Sequence, residues 1–269
     1  MLSTTTSKRF PRSAVTNAPR SVRSPAICRP ADHEDVHGLR HSVLWFGPPP
    51  GGRLICAWAS STRTCTSTTT RSIRTATSCS RGPAKRVSTE DAFSELRALA
   101  MHPKVVAIGE TGLDFGGRSA PVEAQRDAFR AHLILAWERR LPVIVHCRGA
   151  HRDVLEMLAD AGTAVVMHAF SGSVETVREC AACGHFISLA GPVTFRNADL
   201  PVKVAREVPA ALLLVETDAP VLAPHPCRGK RNEPAYLRYI VDRLAEIRAV
   251  PVEDLIETSA ANAARVFGV

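Results

Sequence analysis

Glu110, His146, His168 and Asp218 share a setting: each interrupts or closes a short apolar run, in VVAIGE (105–110), PVIVHC (142–147), AVVMHAF (164–170) and LLLVETD (212–218). One loop acid, or one histidine after a strand, needs no function to explain it. Two imidazoles and two carboxylates in equivalent places form a set able to bind a divalent cation. Mixed nitrogen and oxygen donors suit Zn, Mn or Mg rather than a thiolate-preferring metal. Cys147 follows His146, but alternation along a strand points it to the opposite face. Cys180 and Cys183 lie in a helix-like segment without a second pair, and read as two reduced helix residues rather than half a zinc site.

Residues so far apart in sequence need a scaffold that gathers them. From Thr89 onward, short apolar runs alternate with amphipathic stretches such as 121–140 and 152–162, and a fifth run, HFISLAG, covers 185–191. Ser88 and Asp91 have the spacing of a capping box ahead of a first helix. Alternating strands and helices predict parallel βα units, and nearly continuous apolar strands predict burial on both faces. The expected fold class is α/β, a TIM (β/α)8 barrel, incomplete or irregular at the N-terminus. In that fold the C-terminal strand ends share one mouth, where active sites form. Glu110 is expected to stand at its strand's end, with a turn after it.

Near those ends lie basic side chains suited to phosphate: Arg148, two residues past His146, and the loop Arg228-Gly-Lys230-Arg231. Arginine offers a planar fork and lysine a point charge. Asn232 and Glu233 are expected to hold the loop and cap the next helix. The net charge of +8 does not belong to this part of the chain. Residues 1–89 carry 14 Lys/Arg against 3 Asp/Glu, whereas residues 90–269 carry 20 against 23. No apolar run reaches the roughly 20 residues that span a membrane. The scattered cysteines give no disulfide framework, so the expected compartment is the cytoplasm.

GETGLD (109–114), PVIVHCR (142–148), HAFSG (168–172) and LLLVETDAPVLAPHPCRGKRNEP (212–234) together resemble the successive motifs of the TatD family, metal-dependent deoxyribonucleases of the amidohydrolase-like TIM-barrel group. GPVTFRNA (191–198) and TSAANAARVFG (258–268) add to the likeness, which spans roughly residues 88–269. The resemblance implies two divalent ions, Mg, Mn or Zn. It also implies Glu110 as their bridge, His146 and His168 as imidazole ligands, and Asp218 as the ligand that handles the proton of the attacking water. Glu110 and Asp218 are thus the catalytic candidates, and Arg148, Arg228 and Lys230 the candidates for substrate phosphate. The implied substrate is DNA, single-stranded or at 3′ ends, cleaved by a monomer. A hydrolase of amides or carboxyl esters on the same barrel, and an inactive remnant of the family, are the alternatives. A third is a nucleic-acid-binding module driven by the basic N-terminal arm.

The first third departs from the family pattern. The family opens on a strand ending in His-x-His, and this chain has no such tripeptide. His33, His37 and His41 are spaced by four instead. Of the 22 residues at 60–81, 18 are Ser, Thr or Arg, without periodicity and with little to bury. Only HSVLWF (41–46) and RLICAWA (53–59) look strand-like. Such a bias is what an out-of-frame reading of G+C-rich coding DNA gives. The organisation expected is therefore an irregular, largely disordered segment 1–87, followed by a hydrolase barrel at 88–269. Without His-x-His, one ion rather than two is expected, with impaired activity.

Overall fold

A computed structural model of the protein describes residues 54–57, 89–116 and 120–269, with side chains from residue 92 onward. The strand-like run 41–46, the three N-terminal histidines, the proposed disordered segments and the Ser88 cap lie outside these residues.

The described strands are β1 (Leu54–Ala57), β2 (Val105–Asp114), β3 (Val143–Arg148), β4 (Val165–Met167), β5 (Phe186–Leu189) and β6 (Leu213–Val215). They lie side by side in chain order, and every neighbouring pair is parallel. Helices α1 (Thr89–Leu99), α2 (Val122–Arg139), α3 (His151–Leu158), α4 (Val174–Ala182), α5 (Asp199–Glu207), α6 (Leu237–Arg248) and α7 (Val252–Phe267) complete the order. This is the winding of a (β/α)8 barrel, with six of its strands among the described residues. RLICAWA contributes a strand, as its composition indicates. No helix among the described residues is long and apolar enough to cross a membrane.

The sheet is buried on both faces. One face sends Ile108, Val143, Val145, Val165, Met167, Ile187, Leu213 and Val215 against helical residues such as Phe129, Val154, Ile240 and Leu244. The other face layers Val106, Ile144, Val166, Phe186 and Leu214 on Ala263, Val266 and Phe267 of α7. Each such side chain contributes about 1.5–3 kcal/mol when fully buried. Asn262 locks α7 in place by donating from Nδ2 to the carbonyls of Ala210 and Leu213, at 2.8 and 2.9 Å. The closing TSAANAARVFG segment is therefore structural. Cys180 sits buried in the helix-facing core, and Cys180 and Cys183 are free thiols, as expected.

The second, α7-covered face also carries polar side chains. Two residues beyond its apolar layer, strand alternation presents His146, His168, Ser188 and Glu216. The register places three of these at one level, since Val145 pairs with Met167 and Met167 with Ile187.

Candidate metal centre

Glu110 does not close its strand. β2 continues through Asp114, and the pairing with β3 shifts register between Ile108 and Thr111. The glycines on either side of Glu110 explain how this bend is possible. Gly109 has φ 151°, and a Cβ there would come 2.7 Å from the Ile144 carbonyl oxygen. Gly112 has φ 140°, and a Cβ there would come 2.0 Å from the His146 carbonyl oxygen. Only glycine accepts both the backbone conformation and the close approach. Strand ends also proved a loose guide for the others. His146 lies within β3, His168 directly follows β4, and Asp218 stands three residues past β6 in a left-handed conformation (φ 56°).

These four residues nevertheless meet. Glu110 Oε1 accepts from His146 Nδ1 at 2.8 Å and lies 3.5 Å from His168 Nε2. His168 Nε2 in turn lies 3.4 Å from Asp218 Oδ1. Two acids that the sequence reading left without a role join them. Asp114 Oδ2 faces His146 Nε2 at 3.6 Å. Glu216, fully buried, takes His168 Nδ1 on Oε1 at 2.7 Å. The same carboxylate accepts the Ala169 backbone N–H at 2.8 Å and the Ser188 hydroxyl at 2.5 Å. A carboxylate only accepts, so His168 Nδ1 donates to Glu216, and Nε2 faces Glu110 and Asp218. A period-two signal existed for both missed acids. Residues 110, 112 and 114 share one face of an extended chain, as do 214, 216 and 218.

Carboxylates outnumber imidazoles here, and the titration of the groups reflects it. Burial alone would lower His168, but the Glu216 charge, with Asp218 and Glu110, holds it well above its ordinary value. Burial alone would raise Glu110, but the His146 hydrogen bond and the His168 and His146 rings outweigh it, and the carboxyl sits below its ordinary value. Asp218 is pushed up, first by burial, with His168 opposing and Glu216 and Glu110 adding to the rise. The surplus of carboxylates favours positive charge at this cluster.

Among the described residues no three His, Cys, Asp or Glu stand as a ready-made metal cage, because the donors here face one another across hydrogen bonds. Their chemistry and spacing still fit a cation. Ligands bound at about 2.0–2.1 Å to one tetrahedral ion lie about 3.4 Å apart. Glu110 Oε1 and Asp218 Oδ1 stand 3.5 and 3.4 Å from His168 Nε2. Glu110, His146, His168 and Asp218 are therefore the residues that could hold a divalent ion, with Asp114 beside them.

The basic residues sit apart from this cluster's hydrogen bonds. Arg148 is exposed at the end of β3, its backbone paired with Asp114 and its side chain running past Gly116. Among the described residues no ion pair engages it. Lys230 is exposed, and Arg228 lies with its guanidinium 3.6 Å above the Phe195 ring centre. Asn232 is buried and holds the loop as expected, donating from Nδ2 to the carbonyls of Thr217 and Val221, both at 2.6 Å. It also accepts the Glu233 N–H at 2.9 Å. Glu233 precedes a short 3-10 turn, Pro234–Tyr236, without capping it through its side chain.

The sequence profile described as "TatD related DNase" matches residues 55–268. That match begins at β1, upstream of the region whose motifs resemble the family. A Bacillus subtilis protein named "Uncharacterized metal-dependent hydrolase YabD" is 43% identical over 182 residues, covering 66% of this chain and 71% of that one. The "3'-5' ssDNA/RNA exonuclease TatD" of Citrobacter rodentium is 38% identical over 187 residues, covering 66% and 71%. The crystal structure of YJJV, a TatD homolog from Escherichia coli, superposes with a TM-score of 0.64 at 30% identity over 68% of this chain and 72% of that one. With a profile match across most of its length, and with the carboxylate–imidazole cluster gathered on a parallel βα sheet, the chain belongs to the TatD family of metal-dependent hydrolases, on the amidohydrolase-like TIM-barrel fold.

Proposed function

We propose that the cluster around His168 is a divalent-metal site that hydrolyses phosphodiester bonds of single-stranded DNA or of 3′ ends. The observation that carries this reading is the placement of His168 Nε2 between Glu110 and Asp218, with Nδ1 fixed by buried Glu216. Two relatives are named for exonuclease action on single-stranded DNA or RNA, which supports the substrate class. Glu110, His146, His168 and Asp218 would hold Mg, Mn or Zn. Such an ion polarises the phosphoryl oxygen and acidifies a water.

The chain's own groups do the rest. Glu216 orients His168 and keeps its tautomer, leaving Nε2 free for the ion. Asp218, raised by burial, is suited to take up a proton at its carboxylate and release it to the leaving oxygen. Arg148, Arg228 and Lys230 bind substrate phosphates as charge-assisted donors. The missing His-x-His removes two family ligands, so the chain holds one ion and works slowly. It acts as a monomer in the cytoplasm.

The test is hydrolysis of a labelled single-stranded oligonucleotide by the purified full chain with excess Mn2+ or Mg2+. Slow, metal-dependent cleavage that stops in EDTA and in Asp218→Ala is expected. Cleavage indifferent to Asp218→Ala would sink the assignment of this site. Hydrolysis of amide or carboxyl-ester substrates, with none of DNA, would sink the substrate class.

A further inference from the structure

Arg228 has an unusual partner for a phosphate ligand. Its guanidinium carbon lies 3.6 Å from the centre of the Phe195 ring, the closest of the described cation–π contacts. Among the described residues no hydrogen bond or ion pair engages it, and the side chain is exposed. A guanidinium is planar, and with its carbon this close to a ring centre the ring covers it on one side while the exposed side chain keeps the other toward solvent. A point charge for phosphate needs no such plane, and Lys230 already supplies one two residues on.

The platform is fastened before any ligand arrives. Phe195 directly follows the 3-10 turn Gly191–Thr194 beyond β5, and Arg228 lies in the loop beyond β6. The Thr194 hydroxyl donates to the Gly191 carbonyl at 2.7 Å and accepts the His225 N–H at 2.8 Å. Gly191 packs so closely on the Leu222 carbonyl that a Cβ would come within 1.9 Å. Both loops leave the same ends of β5 and β6 that carry Ser188, Glu216 and Asp218. A surface fixed in advance loses less entropy on binding.

We infer that the open face of Arg228, backed by Phe195, is a stacking platform for an unpaired nucleobase at the mouth of the site. This rests on the phosphodiesterase reading and names how that site grips its strand. Unpaired bases stack on aromatic rings and on arginine planes, each contact strengthening binding without regard to sequence. A paired base hides its faces in the helix, so the platform selects single strands and frayed ends. Phe195 is a positioning residue that acts through Arg228.

The test measures binding to the full chain in EDTA, by fluorescence anisotropy. One ligand is a labelled oligothymidylate, and the other an oligomer of equal length built of abasic tetrahydrofuran units. Both carry the same phosphates, so the basic N-terminal segment attracts them equally and cancels in the ratio of affinities. The unmodified protein should prefer the base-bearing strand. Arg228→Lys keeps the charge and removes the plane, and Phe195→Leu keeps apolar volume and removes the ring. Each should reduce that preference about fivefold or more, the effect of losing one stacked base. Equal losses on both ligands would make Arg228 a phosphate contact only and overturn the platform. No preference in the unmodified protein would overturn it as well. Failure of the unmodified protein to bind either strand would overturn the nuclease reading, and the platform with it. Circular dichroism of each variant confirms that it is folded.

Discussion

The two histidines of the cluster are held in different ways. The His168 side chain is 5% exposed and touches three carboxylates, one of them the 1%-exposed Glu216. The His146 side chain is 37% exposed and faces Glu110 and Asp114, themselves 18% and 28% exposed. The first half is a fixed, low-dielectric nest in which each donor has its acceptor. The second opens toward solvent. Preorganisation and access are opposing demands, and this site divides them between neighbouring strands. If so, damage to the His168 half should disturb folding and chemistry together, and damage to the His146 half should disturb chemistry alone.

The largest effect expected is on rate. Asp218→Asn removes the proton acceptor of the buried half while keeping its size. Metal-dependent hydrolysis should fall by about 10²–10⁴-fold, the usual worth of a positioned acid–base group. Turnover of single-stranded DNA by folded variant protein measures it. An unchanged rate would show that the chemistry does not pass through the buried half.

Stability should separate the halves next. His168→Ala strands Glu216 in the interior, and breaking a buried pair costs about 3–5 kcal/mol. The low end is expected, because Ala169 and Ser188 still bond the carboxylate. His146→Ala removes a half-exposed partner, for which a loss under about 1 kcal/mol is expected. Urea denaturation of both variants in EDTA gives the comparison. Equal losses would abolish the distinction between the halves.

A smaller effect should isolate orientation from charge. Glu216→Gln keeps the shape but no longer holds the His168 Nδ1 proton as a charged acceptor. Loss of such an outer partner typically weakens metal affinity 10–100-fold. Calorimetric titration with Mn2+ reads it directly, and Glu216→Asp should recover less than the native carboxylate because it is one methylene shorter. Affinity unchanged in Glu216→Gln would mean that packing alone orients the ring.

What the sequence could disclose follows the same division. His146 and His168 stand out because each breaks an apolar run, and their convergence followed from parallel βα order alone. Glu110 stands out as a candidate ligand, but a Gly–Glu pair after apolar residues looks like a strand's end, and the strand runs on through Asp114. In fact the glycines carry the strand through a register shift, which depends on how closely β3 approaches. The same continuation brings Asp114 to the cluster, where a strand ending at residue 110 would not. Glu216 is masked by the apolar run beside it, which reads as core, and its contacts come from Ser188 and Ala169 in two other segments. The contact of Arg228 with Phe195 joins residues 33 positions apart, and neither residue signals the other in the sequence.

Ser188 provides the finest test of the buried half. Its hydroxyl donates to Glu216 Oε2 at 2.5 Å, and it contacts neither the ion's candidate ligands nor any basic residue through that group. Ser188→Ala keeps the backbone and nearly all the volume, but leaves one buried carboxylate oxygen without its donor. An unsatisfied buried acceptor costs about 1–3 kcal/mol. The low end is expected, since Glu216 Oε1 keeps both of its partners. Urea denaturation in EDTA should show that loss. Metal affinity should fall by a smaller factor than in Glu216→Gln, because His168 still has its charged acceptor. A Ser188→Ala protein with native stability, but with affinity as poor as Glu216→Gln, would mean that Ser188 sets the carboxylate's position rather than its solvation. A protein with both unchanged would mean that Glu216 is held by Ala169 and His168 alone, so the nest owes its rigidity to two neighbours rather than three.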